Sequence, residues 1–174
     1  KTAKQFNGVV LNYFEVIELM KDEEDIICGV KAKDIESGKV HSIQAHTVIN
    51  ATGVFADRVK KMDEPHVKDM IQPSQGIHLV VSKDFLPHKY AIMVPHTKDG
   101  RVMFAVPWHN KVVLGTTDTM KEKPELEPQA LDSEIDFILE TAGQYLVKQP
   151  TRKDVLAVFS GLRPLAKPEG DGKS

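Results

Sequence analysis

Four segments of this chain hold side chains able to do chemistry. In Phe159-Ser160-Gly161-Leu162-Arg163-Pro164-Leu165, Pro164 holds Arg163 extended and Gly161 clears room on the same side of the strand. A guanidinium between Leu162 and Leu165 is costly to bury alone, so it asks for an anionic ligand or a buried carboxylate. In Pro73-Ser74-Gln75-Gly76-Ile77-His78-Leu79-Val80-Val81, period two turns His78 to the strand face opposite Ile77 and Leu79, and Gly76 leaves space for something bulky. An imidazole there is either a proton acceptor working near neutral pH or a core histidine with a backbone partner. Arg101, just after the Asp99-Gly100 turn, either forks onto a phosphate or carboxylate or is a solvated hairpin residue. Further on, Thr117-Asp118 ends a strand, where the carboxylate orients a cation or caps a turn. Finally, Val48-Ile49-Asn50-Ala51-Thr52-Gly53 combines an apolar run with small residues. That suits either close backbone approach to a flat or phosphorylated ligand or a plain strand-to-helix turn.

Strands must position most of these groups. Val9 to Met20 reads as one, broken by the charged run Lys21 to Asp25. Alternation from Ile26 through Cys28, Val30 and Ala32 reads as a second. After the Glu36-Ser37-Gly38-Lys39 turn, Val40 to Ala45 completes a three-strand antiparallel meander. Thr47 to Ala51 reads as a short strand feeding a helix over Val54 to Lys61, the layout of a chain turning beside a ligand. Pro65 and Pro73 bracket an irregular link. Beyond it come a run over Gly76 to Val81 and a hairpin of Ala91 to Pro95 with Arg101 to Pro107. Trp108 to Lys111 turns the chain into Val112 to Thr117, and Asp154 to Pro164 makes a last strand. The clearest helix starts at Ser133. Ile135, Ile138, Leu139, Ala142, Tyr145 and Leu146 form one apolar stripe, with Asp132 or Ser133 as the cap and Pro150 as the stop. The tail from Pro168 to Ser174 is polar and reads as a loop or frayed end.

Composition excludes several classes. Hydrophobic residues are 41% and charged residues 28% of the 174, an ordinary globular balance. With 23 Lys and Arg against 25 Asp and Glu, the formal charge is −2, which gives no support to nucleic-acid binding or to an anionic-membrane footprint. One Cys, Cys28, allows no internal disulfide. No apolar run approaches the ~20 residues of a membrane helix, and no signal peptide is visible. The seven His are scattered, without metal spacing, so no metal site is expected. Asn50-Ala51-Thr52 matches the glycosylation triplet, which we read as accidental at the end of an apolar strand.

Taken together, Asn50-Ala51-Thr52-Gly53, Gln75-Gly76-Ile77-His78-Leu79-Val80-Val81, Pro107-Trp108 with Gly115-Thr116-Thr117-Asp118, and Gly161-Leu162-Arg163-Pro164-Leu165 resemble the FAD-dependent glycerol-3-phosphate dehydrogenases. The resemblance runs over nearly the whole chain. It implies an internal piece of a longer enzyme, in keeping with a start at Lys1 and with the absence of a G-x-G-x-x-G unit for the FAD pyrophosphate. The implied fold class is α+β. A partial FAD-binding domain, made of the β-meander and the ATG strand, would span residues 1–57. An antiparallel-sheet substrate-binding domain with helices on one side would span 58–174.

The resemblance also implies a reaction: oxidation of sn-glycerol 3-phosphate to dihydroxyacetone phosphate by hydride transfer to flavin, with electrons passing to a quinone. His78 would be the base, Arg163 would stabilise the developing charge, and Arg101 would help His78 and Arg163 bind substrate. Val16, Ala51, Thr52 and Gly53 would contact FAD. The parent would be cytoplasmic, peripherally associated with the inner face of the cytoplasmic membrane, with homo-oligomerisation left open. The isolated piece is expected neither to retain FAD nor to turn over. Alternatives are a glycerol-3-phosphate oxidase, another FAD-dependent amino-acid or hydroxy-acid oxidoreductase of the same fold, or a non-catalytic β-rich interaction module.

Overall fold

The computed structural model describes residues 1–95, 97 and 100–167. The expected turn residues His96, Lys98 and Asp99 and the tail from Pro168 lie outside the described residues. The chain forms two compact units, residues 1–69 and residues 70–174. The division therefore falls twelve residues beyond the expected 57/58 boundary, because the helix after Gly53 packs on the first strand.

In the first unit, a single helical turn, α1 (Thr2–Gln5), precedes an antiparallel meander. Its strands are β1 (Phe14–Lys21), β2 (Ile27–Asp34) and β3 (Val40–Gln44), as the alternation predicts. The first strand starts later than expected, since Tyr13 takes φ 59° and breaks the extended run from Val9. Local side chains make the turns. The Asp22 carboxylate accepts from the N–H groups of Glu24 and Ile26, both at 2.9 Å, and Asp34 accepts from the N–H of Glu36 at 3.0 Å. Gly38, at φ 72°, supplies the left-handed step.

The expected strand over Thr47 to Ala51 does not form; residues 45–52 are irregular and Ile49 is 84% exposed. An apolar run becomes a strand only against a neighbouring ladder, and among the described residues none pairs with it. The helix after it forms as α2 (Ala56–Asp63), entered through a 3₁₀ turn over Gly53–Phe55.

The second unit is a six-stranded antiparallel sheet. Its strands are β4 (Ile71–Ser82), β5 (Ile92–Val94), β6 (Met103–Trp108), β7 (Lys111–Gly115), β8 (Thr119–Met120) and β9 (Ala157–Ala166). The order runs β5-β6-β7-β4-β8, with β9 on the other edge of β4. Pro73, expected in a linker, lies inside β4 opposite Pro164 of β9, so the two missing donors fall at one ladder position. The β6–β7 turn is two residues, His109 and Asn110, at φ 41° and 60°, the positive-φ geometry that suits a tight hairpin. The third hairpin strand stops at Gly115 rather than Thr117, and Thr116 to Asp118 leave the ladder. Likewise β9 starts at Ala157, because Asp154 closes a 3₁₀ turn by accepting from the N–H and hydroxyl of Thr151.

The helix α3 (Asp132–Gly143) covers one face of this sheet. Ile138, Leu139 and Ala142 pack with Ile77, Leu79, Val81, Met103, Ala105, Val112 and Leu114 into the main core. Its cap differs from expectation. Asp132 is drawn into an ion pair with Arg152, and the Glu134 carboxylate accepts from the N–H of Leu131 at 2.9 Å instead. The helix ends at Gly143, before Pro150. Gln149 folds over that glycine and Tyr145 is left exposed.

Candidate functional site

The sheet face away from α3 is built from the even residues of β4 and their partners. His78 lies opposite Gly115 of β7 and Phe159 of β9. Its ring stacks on Phe159 with centroids 5.0 Å apart and 11° between planes. A Cβ on Gly115 would lie 2.5 Å from His78 Cδ2, so only glycine admits the imidazole in this place. Burial, and then the nearby Arg163 charge, hold the imidazole pKa below the ordinary value. At neutral pH this is a neutral ring, the form that accepts a proton.

Gly76 has the same relation to Arg163. A Cβ there would lie 2.3 Å from Nη2 and 2.7 Å from Cζ, so the guanidinium rests directly on the glycine backbone. Arg163 Nη2 donates to Thr116 Oγ1 at 2.9 Å and Nη1 donates to the Thr117 carbonyl at 3.1 Å. Asp118 is its ion-pair partner at 3.5 Å, and the Ser74 hydroxyl donates to that same carboxylate. Between an anionic ligand and a buried carboxylate, the structure thus supplies a carboxylate, but a half-exposed one. The Arg163 side chain itself is 37% exposed.

Arg101 and Arg163 line one cleft of about 250 Å3, together with Val102, Thr116, Thr117, Asp118 and Leu165. The Arg101 guanidinium stacks over Phe137 of α3, 5.3 Å from the ring centre. The structure therefore brings the two arginines into one concavity. His78 does not line it, but sits along the same sheet face, close enough to Arg163 for the charge to act on its ring. The four remaining expected contacts, Val16, Ala51, Thr52 and Gly53, lie in the first unit. Val16 is half-buried in β1 opposite Ala32. Thr52 donates to Asn50 Oδ1 at 2.8 Å, and Asn50 Nδ2 donates to the Ala56 carbonyl at 2.9 Å. Asn50 thus ties the loop to α2, a role its place in the segment did not reveal. Gly53, at φ 58°, has open space where a Cβ would stand.

A second residue that the sequence reading missed is Glu134, 4% exposed beneath the sheet. Its Oε1 accepts from the hydroxyls of Thr117 at 3.0 Å and Thr119 at 2.7 Å. Its Oε2 accepts from Gln75 Nε2 at 2.7 Å and from the Leu131 N–H. Burial pushes this carboxyl pKa up, but the donors from Leu131, Thr119, Gln75 and Thr117 outweigh it, and the net direction is down. The helix-start position of Glu134 was a usable signal for a backbone contact. Nothing local pointed to the two threonines.

The uncovered face also offers an apolar depression of about 470 Å3 lined by Val80, Val106, Trp108, His109, Lys111, Val113 and Phe159. Trp108 and Phe159 are 62% and 50% exposed. Over the Gly76–Gly161 rung, a Cβ on Gly161 would meet nothing within 4 Å. A flat, largely apolar ring fits against such a face. The second unit is thus an α+β arrangement, a sheet shielded by a helix on one side, with a glycine-cleared, aromatic opposite face beside two arginines.

The chain belongs to the FAD dependent oxidoreductase family, which it matches over residues 1–173. It is 39% identical over 95% of its length to a mitochondrial glycerol-3-phosphate dehydrogenase of Schizosaccharomyces pombe, and covers 27% of that protein. Among solved structures it is similar to the glycerol-3-phosphate dehydrogenase from Bacillus halodurans complexed with FAD. That likeness has a TM-score of 0.86 and 34% identity, over 95% of this chain and 33% of that one. The FAD-bound L-alpha-glycerophosphate oxidase from Mycoplasma pneumoniae shares the fold, at TM-score 0.68 and 19% identity over 96% of this chain and 42% of that one. The chain spans about a quarter of the length of the curated relatives it matches.

Proposed function

We propose that the chain works within an FAD-dependent glycerol-3-phosphate dehydrogenase. Residues 1–69 would serve as part of its FAD-binding domain and residues 70–174 as most of its substrate-binding domain. The observation that carries this reading is the pair of arginines in one small cleft, with Arg163 held by Thr116, Thr117 and Asp118 over Gly76. A phosphorylated small alcohol suits such a cleft, because guanidinium groups recognise phosphate by paired hydrogen bonds. FAD, when bound, supplies the hydride acceptor. Ala51, Thr52 and Gly53 would hold it where no side chain crowds the backbone, with Val16 as a further contact from the meander.

The chain's own residues divide the remaining work. Neutral His78 accepts the proton of the C2 hydroxyl as the carbonyl of dihydroxyacetone phosphate forms. Arg163 faces the oxygen on which negative charge develops. Arg101 holds the phosphate, fixed against Phe137 so that it need not be ordered on binding. The apolar sheet face excludes water from the reacting carbon. Electrons then leave for a quinone, which places the working enzyme at a membrane surface. The S. pombe relative is named as mitochondrial, whereas the family resemblance implies the cytoplasmic membrane. No helix among the described residues is long and apolar enough to cross a membrane.

The test is kinetic, in the full-length enzyme. Arg163→Ala should lower kcat/KM by roughly a hundredfold or more, as does loss of a donor to a developing anion. Arg101→Ala should act mainly on KM. Near-normal kinetics in Arg163→Ala would remove that residue from the site. Oxygen uptake measured with and without a quinone separates the dehydrogenase from an oxidase.

A further inference from the structure

The strap Thr116 to Asp118 presents every partner that Arg163 uses on its open side, yet it lies outside the regular ladder, between β7 and the start of β8 at Thr119. An unpaired strap needs something to hold it. Among the described residues, the buried Glu134 carboxylate is the group that does so from below. It takes the hydroxyls of Thr117 and Thr119 on one oxygen, and Gln75 with the helix-start N–H on the other. Thr117 is clamped a second time, accepting from the Ile77 N–H at 3.1 Å. The same residue that gives its hydroxyl to Glu134 gives its carbonyl to Arg163.

We propose that Glu134 is a positioning residue for Arg163, acting through Thr117 and Thr119 from the far side of the sheet. This rests on the reading of Arg163 given above. The chemistry favours a carboxylate over any other side chain here. Four donors converge on two oxygens; an amide NH2 would face either the Gln75 and Leu131 N–H groups, which cannot accept, or the two threonine hydroxyls, which would have to turn round to accept, Thr117 while already accepting from Ile77. The network is also closed: a buried carboxylate with all its neighbours donating is rigid, whereas a partly satisfied one is a defect. Rigidity matters because a displacement of about 1 Å at a group facing the reacting atoms is worth on the order of a hundredfold in rate.

The test is a double-mutant cycle in the full-length, FAD-loaded enzyme, with Glu134→Gln made alone and in the Arg163→Ala background. Thermal melting and calorimetric titration with dihydroxyacetone phosphate accompany the kinetics. Alone, Glu134→Gln should lower kcat/KM roughly tenfold and weaken product binding, as loss of an outer partner does elsewhere. With Arg163 already gone, it should change kcat/KM by less than about twofold, while lowering the melting temperature equally in both backgrounds. Equal fold-losses of kcat/KM in both backgrounds, or none in either, would overturn the role and leave Glu134 a support of the fold. If Glu134→Gln does not fold, Thr119→Val removes one donor at a half-buried position and carries the same cycle with the same criteria. An Arg163→Ala enzyme with normal kinetics would end the underlying reading instead, so the two failures are distinguishable.

Discussion

Gly76→Ala separates the placement of Arg163 from the integrity of the fold. The added methyl would stand 2.3 Å from Nη2 and 2.7 Å from both Cζ and Nη1. Carbon contacts settle near ~3.5 Å or beyond, so the guanidinium must retreat by about 1 Å. It cannot do so and keep its bonds to Thr116 at 2.9 Å and Thr117 at 3.1 Å. The obstructing atoms are the end of a flexible, partly exposed side chain rather than backbone. The loss to stability is therefore small, about 1 kcal/mol, and is offset in part by the ~0.4–1 kcal/mol that alanine removes from the unfolded state's freedom. The loss to catalysis is large, on the order of a hundredfold in kcat/KM for a 1 Å misplacement. The assay is steady-state kinetics on the full-length enzyme beside a thermal melt. An alanine variant with wild-type kcat/KM would refute the reasoning, and so would one whose whole defect is a collapse of thermal stability.

Gly115→Ala should behave differently, because its Cβ meets the Ile77 carbonyl at 2.9 Å as well as His78, and backbone cannot swing aside. We expect a loss of about 1–3 kcal/mol, read as a lowered melting temperature. The depressed His78 pKa places the acid limb of kcat/KM below the ordinary histidine value of about 6.5, since activity needs the neutral ring. Arg163→Ala removes one cause of that depression, so the limb should move to higher pH; an unmoved limb would dissociate the two residues. The same depression makes stability linked to this group fully present above the unfolded-state value, and lost as pH falls through the folded one. Expressed alone, the 174-residue chain should purify colourless, and stoichiometric bound flavin in its absorption spectrum would contradict this.

Local pattern was legible wherever the determinant was local. The meander followed from the Ile26 to Ala32 alternation and from the Glu36-Ser37-Gly38-Lys39 turn, and the face of α3 followed from its apolar stripe. His78 was placed on the correct strand face by period two alone. Partnerships at long separation were not legible. Thr47 to Ala51 has the composition of a strand, but pairing belongs to a neighbour and not to the segment. Asp118 and Arg163 are 45 residues apart, and only the β4–β9 register brings them together. Glu134 went unremarked because burial of a carboxylate depends on donors drawn from three other stretches of chain. Pro73, opposite Pro164, misled for a related reason: a proline excludes a strand only if its absent N–H is needed, and the Lys121 carbonyl on that edge takes the Gln72 side-chain amide instead, at 2.8 Å.

That facing pair of rings also acts as a registration pin for the longest ladder in the molecule. Sliding β9 by one residue would throw Arg163 onto the helix side of the sheet. The same slide would turn the missing N–H of Pro164 toward β4, whereas in the observed register this rung points its polar groups outward, the Pro73 carbonyl to Lys121. The alignment that seats the guanidinium on Gly76 is thereby favoured from the rung next to Arg163, by two side chains with no chemistry of their own.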